Sequence, residues 1–128
     1  EDYEESTFNP HEKVHVTAKD LHVRSKSEVI IAERLDYYNI PYRYEQILYI
    51  NGYPFAPDFT ILTKKGIKYW EHCGRTDKPD YIRKHNWKCT MYEHVGIVQW
   101  KNYIITYDDE HGNIDTRIID SEIVNKLL

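Results

Sequence analysis

The sequence predicts an α/β domain with a mixed β-sheet flanked by helices, its elements in the order α-β-β-β-α-β-α. Three observations predict it. Ser25-Lys26-Ser27-Glu28 is a capping box that opens an amphipathic stripe, Asn51-Gly52 separates two Tyr- and Ile-rich runs as a hairpin turn does, and Asp77 to Gly96 carries a second, longer helix before another β-rich run. Residues 1–20 read as an acidic tail with a short hairpin, and 21–128 as the domain itself.

Taken in order, Glu1, Asp2, Glu4 and Glu5 are expected to fray. Val14, Val16, Leu21 and Val23 alternate about Ala18-Lys19-Asp20, the pattern of a short hairpin. Ser25 caps a helix over 26–38 with Glu28 at N3; Ile31, Ala32 and Leu35 form its apolar stripe, and Asn39-Ile40-Pro41 stops it. Tyr42 to Ile50 runs into Asn51-Gly52, and Tyr53 to Leu62 returns antiparallel. A turn at Lys64-Lys65-Gly66 delivers Ile67 to Cys73 as a third strand. Asp77, with Pro79 in the first turn, opens the second helix, which closes at Gly96. Trp100 to Tyr107 is the fourth strand, Asp108 to Asn113 a polar turn, and Asp120 caps a final helix through Leu128.

The composition fits one globular domain: 128 residues with 41% hydrophobic, 14% aromatic and 30% charged residues support a core and exclude disordered, collagenous and disulfide-scaffold classes. No apolar run approaches a membrane span, and residues 1–20 lack a signal-peptide layout, so no membrane partner is expected. Two cysteines, Cys73 and Cys89, suit a reducing compartment, which points to the cytoplasm. The chain starts at Glu1 rather than Met, as a piece of a longer protein would.

A net charge of −4 argues at first against a polyanionic partner. Its distribution reverses that: four of the 21 acids fall in the first five residues, and between Arg24 and Lys88 there are 12 Lys or Arg against 8 Asp or Glu. A phosphate-binding face is therefore permitted.

The second hairpin carries the informative register. Whether its loop has four residues (Leu62 opposite Ile67) or two (Thr63 opposite Gly66), Asp58 faces Glu71. Opposed side chains on antiparallel strands lie ~5 Å apart at Cβ, where two like charges repel by ~3 kcal/mol at an effective dielectric near 20. A divalent cation offsets that repulsion, and hard oxygen ligands suit Mg²⁺ or Mn²⁺ better than zinc. Glu28 lies on the apolar stripe of the first helix and so points toward the sheet, adding a third acid. The bland alternative leaves Asp58 at a kink after Pro57 and Glu71 pointing into solvent.

Pro57-Asp58, then Glu71 thirteen positions on, with Glu28 on a preceding helix, resembles the PD-(D/E)XK nuclease superfamily and its restriction-endonuclease-like core. The strings Arg24-Ser25-Lys26-Ser27-Glu28, Tyr42-Arg43-Tyr44-Glu45, Pro57-Asp58-Phe59-Thr60, Tyr69-Trp70-Glu71-His72-Cys73-Gly74, Asp80-Tyr81 and Ile104-Ile105-Thr106 resemble a bacterial and phage branch of it, over roughly residues 22–120. One position departs from the pattern: Cys73 stands where the family has a lysine, and some branches supply that lysine from the following helix, where Lys88 and Lys84 are the candidates. Lys88 shares a helical face with Tyr81, His85, Tyr92 and Val95, an aromatic stripe that should pack on the sheet.

The resemblance implies a metal-dependent deoxyribonuclease, endonucleolytic, in the cytoplasm of a bacterial or phage-infected cell. Asp58, Glu71 and the His72 backbone carbonyl would hold Mg²⁺ or Mn²⁺, Glu28 would complete or orient the site, and Lys88 would stabilise charge on the phosphate. Glu45, Lys84 and Tyr81 are assisting candidates, and Arg24, Lys26, Lys64 and Lys65 candidate DNA contacts. The affinity of such an acidic domain would come largely from further domains of a longer chain or from a homodimer.

Two rivals stand beside this reading. The first keeps the fold as a catalytically inactive nucleic-acid-binding module of a larger protein, for which Cys73 is the best argument. The second is a zinc site drawn from His72, Cys73, His85, Cys89 and His94, whose spacing forms no paired-cysteine knuckle.

Overall fold

In the computed structural model, which describes residues 2–74 and 77–128, the acidic N-terminal segment is tied down rather than frayed. The Tyr3 hydroxyl donates to Tyr44 O and accepts from Tyr44 N–H, both at 3.1 Å. Ser6 N–H donates to Glu45 O and Ile47 N–H to Glu4 O, each at 2.9 Å, and Lys13 bridges to Glu5 at 2.7 Å. Backbone pairing with a bent strand thus holds Glu4 and Glu5, residues expected to fray, while Glu1 lies outside the described residues.

The expected short hairpin is present as β1 (His15–Val16) and β2 (His22–Val23), paired antiparallel. Helix α1 (Lys26–Tyr37) begins as the capping box requires, with the Ser25 hydroxyl accepting from Glu28 N–H at 3.1 Å. Asn39, in the left-handed region at φ 56°, follows its end.

The two strands expected over 42–50 and 53–62 are each broken in the middle. The pieces are β3 (Tyr42–Tyr44), β4 (Leu48–Ile50), β5 (Tyr53–Phe55) and β6 (Phe59–Thr63), with β3 on β6 and β4 on β5. Glu45 causes the break on one side by adopting φ 49°, and Pro57, which has no N–H for a ladder, on the other. The register is unchanged across it, because Tyr44↔Phe59 and Leu48↔Phe55 belong to one pairing frame. Glu45 therefore faces Asp58 across the bend, joined by its N–H to Asp58 O at 2.9 Å.

Strand β7 (Gly66–Cys73) pairs with β6 in the predicted frame, Thr63↔Gly66 to Phe59↔Trp70, so its turn has two residues. Helix α2 (Pro79–His94) is preceded by Lys78 as N-cap, without a side-chain cap, instead of the expected Asp77; Pro79 supplies the start by its fixed φ. Strand β8 (Tyr103–Tyr107) begins three residues later than expected and runs parallel to β7. Helix α3 (Thr116–Lys126) is capped by Asp115, whose carboxylate accepts from Arg117 N–H. The expected cap, Asp120, lies inside the helix and binds Arg34 of α1 through two bonds of 2.7 and 3.0 Å.

The result is a mixed four-stranded sheet, β3-β6-β7-β8, flanked by three helices. Ile31, Ala32 and Leu35 of α1 and Ile119 and Ile123 of α3 pack with Tyr44, Phe59, Ile61, Trp70 and Ile104 in one core. Met91 and Tyr92 of α2 pack with Ile50, Phe55 and Tyr103 in the other. Each core buries large side chains worth ~1.5–3 kcal/mol apiece, which holds the strand register against slippage. Among the described residues no helix is long and apolar enough to cross a membrane.

Candidate metal centre

Paired positions of adjacent strands share a face, so the two hairpin registers place Glu45, Asp58 and Glu71 in one row across the sheet. This acidic row lies one residue beyond the apolar row Tyr44–Phe59–Trp70–Ile104. Helix α1 adds Glu28 from the side. Its carboxylate does not return to the N-cap as a capping box would have it; Glu28 Oε1 accepts from Arg24 N–H at 2.9 Å and from the Tyr44 hydroxyl at 3.1 Å.

Glu28, Glu45 and Asp58 each offer an oxygen within 4.8 Å of the others. Glu28, Glu45 and Glu71 are buried, each 5% exposed, and Asp58 is partly buried. Burial raises the Glu28 carboxyl above the usual carboxylate range. Burial, then the charges of Glu28 and Glu71, raise Asp58 well above it, against the opposing pull of His72 N–H and Lys88. The acids are crowded, and Glu28 and Asp58 resist ionising there.

Three cations answer four carboxylates. The Arg24 guanidinium binds Glu45 through Nε at 2.7 Å and Nη2 at 3.1 Å, and reaches Glu12 at 3.6 Å. Lys13, its side chain only 9% exposed, lies 3.3 Å from Glu45 and is shared with Glu5. On the far side of the row, the Lys88 ammonium binds Glu71 Oε2, and Tyr92 donates to Glu71 Oε1 at 2.7 Å. Burial opposes the charge on Lys88, but Glu71 outweighs it and its pKa is raised.

His72 N–H donates to Asp58 Oδ2 at 2.8 Å. Because Cys73 O accepts from Asp108 N–H on the β8 side, the alternate residue His72 turns its carbonyl toward Asp58 as well. The His72 ring turns the other way, held between Thr106 Oγ1 at 2.8 Å and Asp108 at 2.6 Å.

The structure therefore gathers Glu28, Asp58, Glu71, Lys88 and His72 at one sheet end and adds Glu45 as an equal member. The trio of acids in mutual reach is Glu28, Glu45 and Asp58; both oxygens of Glu71 carry donors, as do both oxygens of Glu45, held by Arg24 and Lys13. Lys84 lies exposed a turn before Lys88, and the Tyr81 hydroxyl meets the buried Cys73 thiol. Arg24 is spent on Glu45, and Lys26 is exposed at the start of α1. Lys64 and Lys65 sit on the turn at the opposite end of the hairpin. Of the zinc set, His85 Nε2 and Cys89 Sγ approach to 3.6 Å, and among the described residues no third such ligand joins them.

Sequence reasoning underweighted Glu45 and overlooked Lys13 and Tyr92 as partners. For Glu45 the signal was present: the Asn51-Gly52 turn sets Ile50 opposite Tyr53, and counting back in that frame sets Glu45 opposite Asp58. Tyr92 is four residues from Lys88 on the same helical face. Nothing in the local pattern marks Lys13, which arrives with the N-terminal segment.

No protein-family model, curated protein or solved structure matches the chain.

Proposed function

We propose that this chain is a Mg²⁺- or Mn²⁺-dependent nuclease of the restriction-endonuclease-like class, hydrolysing phosphodiester bonds in DNA. The observation that carries the reading is the convergence of Glu28, Glu45 and Asp58 within 4.8 Å at a sheet end where Lys88 is seated on Glu71.

The donor set fits such an ion. All candidate ligands are hard oxygens, within 4.8 Å of one another, the donor chemistry that Mg²⁺ or Mn²⁺ takes. Asp58, Glu28 and Glu45 would hold it, with the His72 carbonyl turned the same way. When bound, the ion supplies a Lewis acid for a phosphate oxygen and lowers the pKa of water to generate the nucleophile.

The remaining residues do the positioning. Arg24 and Lys13 fix the position of the Glu45 carboxylate. Glu71, oriented by Tyr92, holds the Lys88 ammonium, whose side chain is 28% exposed, where negative charge would develop on a transferring phosphoryl group. Lys88 from α2 thus takes the place that Cys73 leaves unfilled in β7. A cleft of ≈ 420 Å³ lined by Phe8, Arg24, Glu45 and Phe55 opens on the Glu45 side of the row.

Plasmid and oligonucleotide cleavage with Mg²⁺ or Mn²⁺, compared with Asp58→Ala, tests the proposal. Cleavage that needs the metal and is lost in Asp58→Ala supports it; wild-type cleavage by Asp58→Ala rejects it.

A further inference from the structure

Lys65, placed by the hairpin turn far from the acids, has basic company. It lines a cleft of ≈ 320 Å³ with Lys68, Lys101 and Lys126 around Trp100, and no acidic residue stands among the lining residues. Lys64 is its exposed neighbour on the turn. Among the described residues, Lys64, Lys65 and Lys101 form no ion pair. Lys68 Nζ donates to Lys101 O at 2.9 Å, which fixes its position and leaves its charge unneutralised, while Lys126 is shared with Glu122 at 2.8 Å. Trp100 is 86% exposed, so its ring is free for stacking.

We infer that this cleft is a second nucleic-acid site, which binds the phosphates of a single-stranded segment and stacks an unpaired base on Trp100. Lysines without acids attract a polyanion, and a bare indole ring selects an unpaired base, because bases inside a duplex are already stacked. In a chain of net charge −4, this local excess is where a phosphate backbone gains its counter-charge. The distance suits a tether: six residues of β7 separate Lys65 from Glu71, ~20 Å at ~3.3 Å per residue. A strand held here extends along the hairpin toward the acidic row. The inference rests on the nuclease reading for the class of polyanion, but not on the metal ligands.

Fluorescence anisotropy of a labelled oligo(dT) of about 20 nucleotides, titrated with the full chain in EDTA, tests it without hydrolysis. Trp100→Ala should weaken binding about tenfold, and Trp100→Phe should restore most of it. The double variant Lys65→Ala, Lys101→Ala should lower the slope of log K against log salt by about 1.4, at ~0.7 per phosphate contact on a single strand. If wild type fails to cleave but shows this pattern, the nuclease reading falls and the second site stands. Oligo(dT) binding unchanged by the Trp100 and lysine substitutions overturns the inference. So does capture by phosphatidylserine vesicles in preference to oligo(dT), which would assign the patch to a membrane surface.

Discussion

Tyr92 donates its phenol to Glu71 Oε1 at 2.7 Å from a position with no exposure to solvent. That bond leaves Glu71 one oxygen for Lys88 and fixes the plane of its carboxylate within the acidic row. Burial, then the charge of Glu71, drive the Tyr92 pKa far above its ordinary value, so the phenol is a permanent donor.

Tyr92→Phe removes this donor and leaves a buried carboxylate oxygen short of a partner. We expect a loss of about 1–3 kcal/mol in unfolding free energy and about a 10- to 100-fold drop in cleavage rate, as for other residues that orient a metal-site carboxylate. Denaturant unfolding and rate measurements on the same preparation check both; an unchanged rate removes Tyr92 from the site.

Lys88→Ala should slow cleavage by about 10²–10³ while leaving metal binding in place, because Lys88 contacts Glu71 and not the Glu28–Glu45–Asp58 trio. Asp58→Ala should abolish cleavage, whereas Glu71→Ala, which releases Lys88, should slow it at least as much as Lys88→Ala does. Single-turnover rates at saturating Mn²⁺, together with Mn²⁺ binding by calorimetry, separate the two behaviours. Lys88→Ala with lost Mn²⁺ affinity would contradict the division of labour.

Arg24→Ala strips the bidentate partner from buried Glu45 and leaves only Lys13, itself shared with Glu5. The expected cost is on the order of 3 kcal/mol. Arg24→Ala combined with Glu45→Gln should recover much of it, since the uncompensated charge is then gone. Unfolding midpoints of the single and double variants measure this; additive losses would show that the charge of Glu45 is not what Arg24 answers.

The carboxyls of Glu28 and Asp58 bind protons more tightly in the folded chain than in the unfolded one. Between the ordinary carboxylate range and their raised values the folded state holds the extra protons, so stability contributed by these groups falls as pH rises through that window. A divalent cation replaces the protons. Mn²⁺ should therefore raise the thermal midpoint more at about pH 8 than at about pH 5; a pH-independent shift in scanning fluorimetry would contradict it.

How far the sequence could be read depended on the range of the forces involved. The Lys64-Lys65-Gly66 turn and the capping box are local signals, and they located the Asp58–Glu71 register and the start of α1 to the residue. The break at Glu45 was hidden, because a left-handed glutamate held by Arg24 and the N-terminal segment is a tertiary outcome that strand propensity cannot register. The same holds for the tied N-terminus, where Tyr3 and Lys13 find partners some forty and thirty residues away. Asp115 lost to Asp120 as the predicted cap of α3 for a related reason: Asp120 is a good capping residue drawn inside the helix by Arg34 of α1.

The central claim is that one hard cation sits among Glu28, Glu45 and Asp58. Crystals soaked in Mn²⁺ and measured at an anomalous wavelength test it directly. The account predicts a manganese peak at ~2.2 Å from an Asp58 oxygen, with Glu28 or Glu45 in its coordination shell. Saturating Mn²⁺ with no peak beside Asp58 would contradict it.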